Sequence, residues 1–136
     1  MDRPHVLKNI SANTCVLCGV LPETHSHLFF ECVYSSKIWS NISGKSNFHS
    51  PTMQWDLFLQ WASANFGQRN NFSHLLARHA ISTTVYFIWQ ERNHRVFKNQ
   101  AKTVDSLTKD AIITMRSLLL NYRNAIPDAV KRDWNL

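Results

Sequence analysis

The chain has 136 residues, 44% of them hydrophobic and 12% aromatic, which excludes a disordered tail and leaves enough apolar material for a modest core. Fifteen Lys and Arg against nine Asp and Glu give a net charge of +6, a balance that suits an anionic partner such as nucleic acid but specifies no fold. Only three Gly and four Pro interrupt it, so long stretches run unpunctuated, as in helices and unlike a many-turned β-fold.

The first thirteen residues are polar and carry no apolar core of a secretory signal. The longest apolar runs, residues 85–89 and 118–120, fall far short of the roughly 20 residues that cross a bilayer. The chain is therefore expected inside the cell, nuclear or cytoplasmic, neither secreted nor in a membrane, with its thiols reduced.

All three cysteines fall between residues 15 and 32. With one histidine they read Cys15-x2-Cys18-x8-His27-x4-Cys32. The pair Cys15 and Cys18, followed by Gly19, makes a tight turn that aims two sulfurs at one point, and Gly19 can take the positive φ such a turn needs. His27 and Cys32 return from the far side of a short loop. Three thiolates and an imidazole are a structural zinc set, and four protein ligands leave no position for a reactive water. His25 competes with His27, which is preferred for its four-residue separation from Cys32. The other readings are three reduced core cysteines, a disulfide using two of them, or a Cys–His nucleophile for which no orienting third group stands out.

After Cys32, Val33, Ile38 and Trp39 sit near helical spacing up to Ile42, and 41–50 reads as a polar loop containing Gly44. Ser50 and Pro51 form an N-cap and first helical position for a helix to Phe66, with Trp55, Phe58, Leu59 and Ala62 as its apolar stripe. Residues 72–98 predict one long helix with Leu76, Ala80, Thr83 and Phe87 on one face, widened by Leu75, Tyr86 and Trp89, and a β-branched centre around Ser82 to Val85 as its weak point. A second long helix runs from Val104 to about Asn124, with Thr103 as N-cap and Val104, Leu107, Ala111, Thr114, Leu118 and Tyr122 facing inward. Pro127 and Asp128 open a short last helix through Trp134. The expected architecture is mainly α, a single domain over 1–136. A CCHC zinc loop with its following helix (about 12–42) packs on a helical hairpin or bundle (about 51–136) through Leu28, Phe29, Phe30 and Trp39.

The run Cys15-Val-Leu-Cys18-Gly19, then Glu23, then His27-Leu28-Phe29-Phe30-Glu31-Cys32 and Trp39, resembles the zinc-binding domain of plant non-LTR (LINE-type) retrotransposon reverse transcriptases. The stretch Ile88-Trp89-Gln90-Glu91-Arg92-Asn93, closed by Phe97, is similar to the IW-x-ERN-x-x-x-F segment found downstream in that family. The resemblance covers roughly residues 6–100. It implies one structural Zn2+ and a module that helps a reverse transcriptase hold its template or target. Most of the tryptophan-rich segment that precedes the first cysteine in the family is missing, and nothing matches the paired-aspartate motif of the polymerase. The resemblance thus implies a detached, N-terminally truncated fragment.

Function is sought in the basic residues. Arg92, Arg95, Lys98 and Lys102, beside His94, crowd the end of the first long helix and the loop after it, and are assigned as phosphate contacts to RNA or single-stranded DNA. Lys109, Arg116 and Arg123 recur every seven residues on the next helix. Among the aromatics, Phe29 and Phe30 are the best placed for base stacking, the rest being expected in the core. No phosphate-cradling glycine loop, GxSxG or HExxH is present, and the closest acidic pairs, Asp105 with Asp110 and Asp128 with Asp133, fall on different helix faces. The chain is read as a non-enzymatic binding module without a small-molecule substrate. A protein-interaction module, or a retroelement relic in which zinc only supports the fold, is the alternative.

Overall fold

Long unpunctuated segments with apolar residues at threes and fours have one economical way to hide them, and the computed structural model, which describes residues 13–49 and 54–136, is mainly α-helical. The metal-ligand loop leads into a single π-helical turn, His27–Glu31, and then five α-helices: α1 (Val33–Lys45), α2 (Trp55–Asn65), α3 (Phe72–Phe97), α4 (Val104–Leu120) and α5 (Asp128–Trp134). A 3-10 turn, Arg123–Ala125, separates the last two. No strand is present among the described residues, only an isolated bridge between Thr14 and Pro22. None of the helices described is long and apolar enough to cross a membrane.

Helices α1, α3 and α4 pack pairwise around one core. Its layers are Ile38, Trp39 and Ile42 from α1, Leu76, Ala80, Thr84 and Ile88 from α3, and Leu107, Ala111, Met115 and Leu119 from α4. Leu119 is fully buried, so Leu119→Ala is expected to lower unfolding free energy by about 2–5 kcal/mol in urea titrations, through lost transfer and the cavity left behind. Thr84, at the β-branched centre of α3, donates to Ala80 O at 2.6 Å, which satisfies a buried hydroxyl without breaking the helix.

Local signals explain most boundaries. Thr103 caps α4 by accepting from Ser106 N at 3.1 Å, and Asn71 caps α3 by accepting from His74 N at 3.1 Å. Asn99, at φ 53°, turns the chain out of α3 in the left-handed region that Asn tolerates. Arg116 reaches from α4 to accept nothing and donate twice, to Trp134 O and Asn135 O, tying down the otherwise unpaired C-terminal carbonyls of α5.

Several expectations shift. Helix α1 continues to Lys45, past the Ile42 boundary and through Gly44, because Ile42 and Ser43 are buried and hold the extra turn in the core. The inward stripe of α4 runs Leu107, Ala111, Met115, Leu119, a strict i+4 row, leaving Tyr122 exposed beyond the helix end at Leu120. Leu59 is exposed while Phe58 and Trp61 join an aromatic cluster with Phe30, Trp39 and Trp55. The expected Ser50–Pro51 start of α2 lies outside the described residues, as does the side chain of Arg123.

Candidate metal centre

Two short turns bring the ligands together. In the first, Gly19 N donates to Cys15 O at 2.8 Å and Gly19 sits at φ 72°, so the chain reverses within four residues and presents Cys15 and Cys18 from one loop. Cys15 N then donates to Leu21 O at 2.8 Å, closing the loop's base. The second is the π turn. In an α-helix, residues five apart lie about 140° apart and could not share a ligand. Here Cys32 N donates to His27 O at 2.8 Å, an i to i+5 closure that widens the turn and swings His27 and Cys32 to the same side. Thr24 starts this turn by accepting from His27 N at 3.0 Å.

The ligand atoms of Cys15, Cys18, His27 and Cys32 all lie within 4.8 Å of one another. Cys15 Sγ is 3.9 Å from Cys32 Sγ, and Cys18 Sγ is 3.3 Å from His27 Nε2. Tetrahedral ligands at about 2.3 Å for sulfur and about 2.0 Å for nitrogen have edges of roughly 3.5–3.8 Å. The observed separations fit a four-coordinate ion at the centre. Cys15 and Cys32 are fully buried, His27 nearly so, and Cys18 half-buried. His25 is exposed and packs against Trp55, outside this group.

The two buried sulfurs lie 3.9 Å apart. Cys15 donates to Cys32, which, with the N–H groups of Ser35 and Tyr34 at the start of α1, holds the Cys32 thiol down at about 5 against the effect of burial. Cys15, as donor and by its burial, is pushed far up, although the N–H groups of Cys18 and Leu17 pull the other way. Three sulfurs and an imidazole this close together are a donor set suited to a thiophilic cation.

Neighbouring side chains support this loop from behind. Phe29 and Phe30 are buried, so neither is a stacking surface; they fill the space between the metal loop and the helices. Trp39 Nε1 donates to Phe29 O, and Ser35 Oγ donates to Leu28 O, satisfying carbonyls of the π turn. Arg92 forms a forked pair with Glu23, Nε to Oε1 at 3.1 Å and Nη2 to Oε2 at 3.0 Å, linking α3 to the loop before the π turn.

Of the four predicted phosphate contacts, Arg95 is the one the structure takes away. Its side chain is only 6% exposed and is paired with the 1% exposed Glu91 at 2.7 Å. Arg92 is held by Glu23, Lys102 Nζ by Asp110, and Lys98 is exposed. The sequence reading missed Glu91. Its signal was present: continuing the row Leu76, Ala80, Thr84, Ile88 by threes and fours lands on Glu91 and Arg95, a charged i, i+4 pair on the inward face. It also misplaced two aromatics, since Tyr86 is 55% and Trp89 45% exposed.

Cys15, Cys18, His27 and Cys32, close enough together to hold a metal ion, and the contacts that support them are thus one assembly spanning Cys15 to Lys102. Neither a protein-family model, nor a curated protein, nor a solved structure matches the chain.

Proposed function

We propose that Cys15, Cys18, His27 and Cys32 hold one structural Zn2+, and that the chain is a zinc-stapled helical module, of reverse-transcriptase zinc-binding origin, that binds single-stranded RNA or DNA without catalysing a reaction. Four protein ligands fill a tetrahedral ion, so the metal braces the fold instead of activating water. The origin is supported by the residues that match the family pattern: Glu23, the HLFF run, Trp39 and Arg92 all serve the metal loop here.

The observation that carries the nucleic-acid reading is the outer face of α3. Tyr86, Trp89, Asn93 and Phe97 follow one another at three and four residues on the side opposite the buried row, and Phe97 is 75% exposed. The rings span about 16 Å along the helix. Arg92 lies over the Trp89 ring at 5.3 Å, and Lys98 stands free at the end of the stripe. Exposed aromatic faces beside cations are what a flexible single strand needs: rings for the bases and charge for the phosphates.

Trp89→Ala is expected to weaken binding of a single-stranded oligonucleotide by about 1–3 kcal/mol, and Lys98→Glu to weaken it while flattening its salt dependence. Fluorescence anisotropy over a salt series measures both. Binding that is absent, insensitive to salt, or unchanged in both variants would remove nucleic acid from the function. Arg92 is unsuited to this test because its loss also releases Glu23.

A protein-interaction role is favoured by a different feature, a groove of about 500 Å³ beside the metal loop walled by Leu17, Val20, Leu21, Val33 and Val104. Val20, Leu21 and Val33 are all more than half exposed. The groove offers no exposed ring for a base, so Leu21→Asp separates the two readings: it leaves oligonucleotide binding intact and abolishes only a protein contact.

A further inference from the structure

Arg95 is an ion-paired residue deep in a small domain, where a hydrocarbon of similar size would be at least as stable. What it touches suggests why it is there. Nη1 donates to both Val16 O and Leu17 O at 3.3 Å, the two carbonyls between Cys15 and Cys18. Nη2 donates to Lys102 O at 3.1 Å, and Nε to Glu91 at 2.7 Å. The same Glu91 oxygen accepts from Lys102 N at 2.9 Å, so the connection between α3 and α4 clamps the pair from outside. The guanidinium also lies 4.7 Å from the Tyr34 ring, whose hydroxyl donates to Lys102 O at 2.8 Å.

The consequence follows from the planarity of the peptide bond. In a trans peptide the C=O and N–H point in opposite directions, so fixing a carbonyl fixes the N–H behind it. The peptide that presents Val16 O carries the N–H of Leu17, and the one that presents Leu17 O carries the N–H of Cys18. Both peptides lie in the turn that carries Cys15 and Cys18, so that turn is held from its carbonyl side. Tyr34, whose ring lies against the guanidinium, stands two residues after Cys32. One side chain therefore holds the Cys15–Cys18 turn and packs against the segment that follows Cys32.

We propose that Arg95, aligned by Glu91, is a positioning residue of the metal centre. It holds the Cys15–Cys18 turn through the Val16 and Leu17 carbonyls and so sets how tightly the ion is kept. This rests on the Cys3His reading above. Lys could replace the charge but not the fork, since one ammonium cannot serve both loop carbonyls, Lys102 O and Glu91 with the same planar geometry. Groups that orient metal ligands are typically worth 10- to 100-fold in metal affinity.

The test follows release of zinc from the folded protein to a chromogenic chelator, with the thiolate-to-metal charge-transfer band of the Co2+-substituted protein as a second readout. The variants are Arg95→Lys, Arg95→Met and, as a control for stability alone, Leu119→Ala. Wild-type protein is expected to hold one metal ion. Arg95→Lys and Arg95→Met are expected to release it 10- to 100-fold faster with an altered cobalt band, and Leu119→Ala to behave as wild type. If Arg95→Met does not fold, Arg95→Lys decides alone. Release and cobalt spectra unchanged in Arg95→Lys, or release accelerated equally in Leu119→Ala, would overturn the positioning role while leaving the metal site standing. Wild-type protein that takes up neither zinc nor cobalt would overturn the site itself, and this role with it.

Discussion

Stripping the metal with a chelator at neutral pH is expected to release one zinc ion per chain and to lower the thermal unfolding midpoint by about 10 °C or more. Apart from the burial of Cys15, Val16 and Leu17, the loop from Cys15 to Gly19 has few other reasons to keep its shape. Its closing contacts are single backbone hydrogen bonds and the forked donation from Arg95. Structural zinc contributes on the order of 10 kcal/mol in small zinc modules, and part of this is folding free energy. For a chain of this length each kcal/mol moves the midpoint by roughly 3–5 °C, so retention of even a few kcal/mol in the folded state produces the shift. The helices should survive in part, because Leu107, Ala111, Met115 and Leu119 face their partners independently of the loop. Mass spectrometry of protein purified without added zinc, followed by circular dichroism during chelation, measures both quantities. A metal-free protein whose midpoint responds neither to chelator nor to zinc would reduce the three cysteines to core residues.

Glu91→Ala is expected to cost about 3–5 kcal/mol of unfolding free energy, a large share of the 5–15 kcal/mol typical of a domain. The substitution removes the only carboxylate paired with Arg95 among the described residues and leaves a guanidinium charge inside the protein, with Lys102 N also losing its acceptor. The double variant Glu91→Ala with Arg95→Met should be more stable than Glu91→Ala, since it removes the stranded charge along with its partner. Urea unfolding of the two single variants and the double variant closes the cycle. Glu91→Ala within about 1 kcal/mol of wild type would mean that the pair is solvated in solution. The forked Arg92–Glu23 pair makes the contrast: with side chains 23% and 21% exposed, its removal is expected to cost no more than about 1 kcal/mol.

These two residues also show where reading the chain stopped short. Charge clustering placed Arg92, Arg95, Lys98 and Lys102 together because they are close in sequence, and formal charge carries no information about which side of a helix meets solvent. Helical phase does carry it. Glu91 and Arg95 lie on the continuation of the buried row, and their spacing of four lets each neutralise the other inside. Trp89 failed for the converse reason. A tryptophan suits a core by composition, but its phase puts it opposite Ala80 and Thr84, where no helix is packed. Phe29 and Phe30 were expected to meet the helices, and they do. Their use as stacking surfaces is lost because the π turn rolls both rings inward against Trp39, Trp55 and Phe58.

By itself the sequence determined the grouping of Cys15, Cys18, His27 and Cys32, the order of the helices and the Thr103 cap of α4. Each depends on residues near one another along the chain: two cysteines flanking a turn closed by Gly19, Thr103 three residues before Ser106, apolar residues a helical turn apart. Only the tertiary structure decided which charges face inward, where the aromatic face lies, and that α3 reaches across nearly eighty residues to hold the Cys15–Cys18 turn. Those outcomes depend on which helix faces meet. That is settled by the summed burial of the whole core, and no local pattern encodes it.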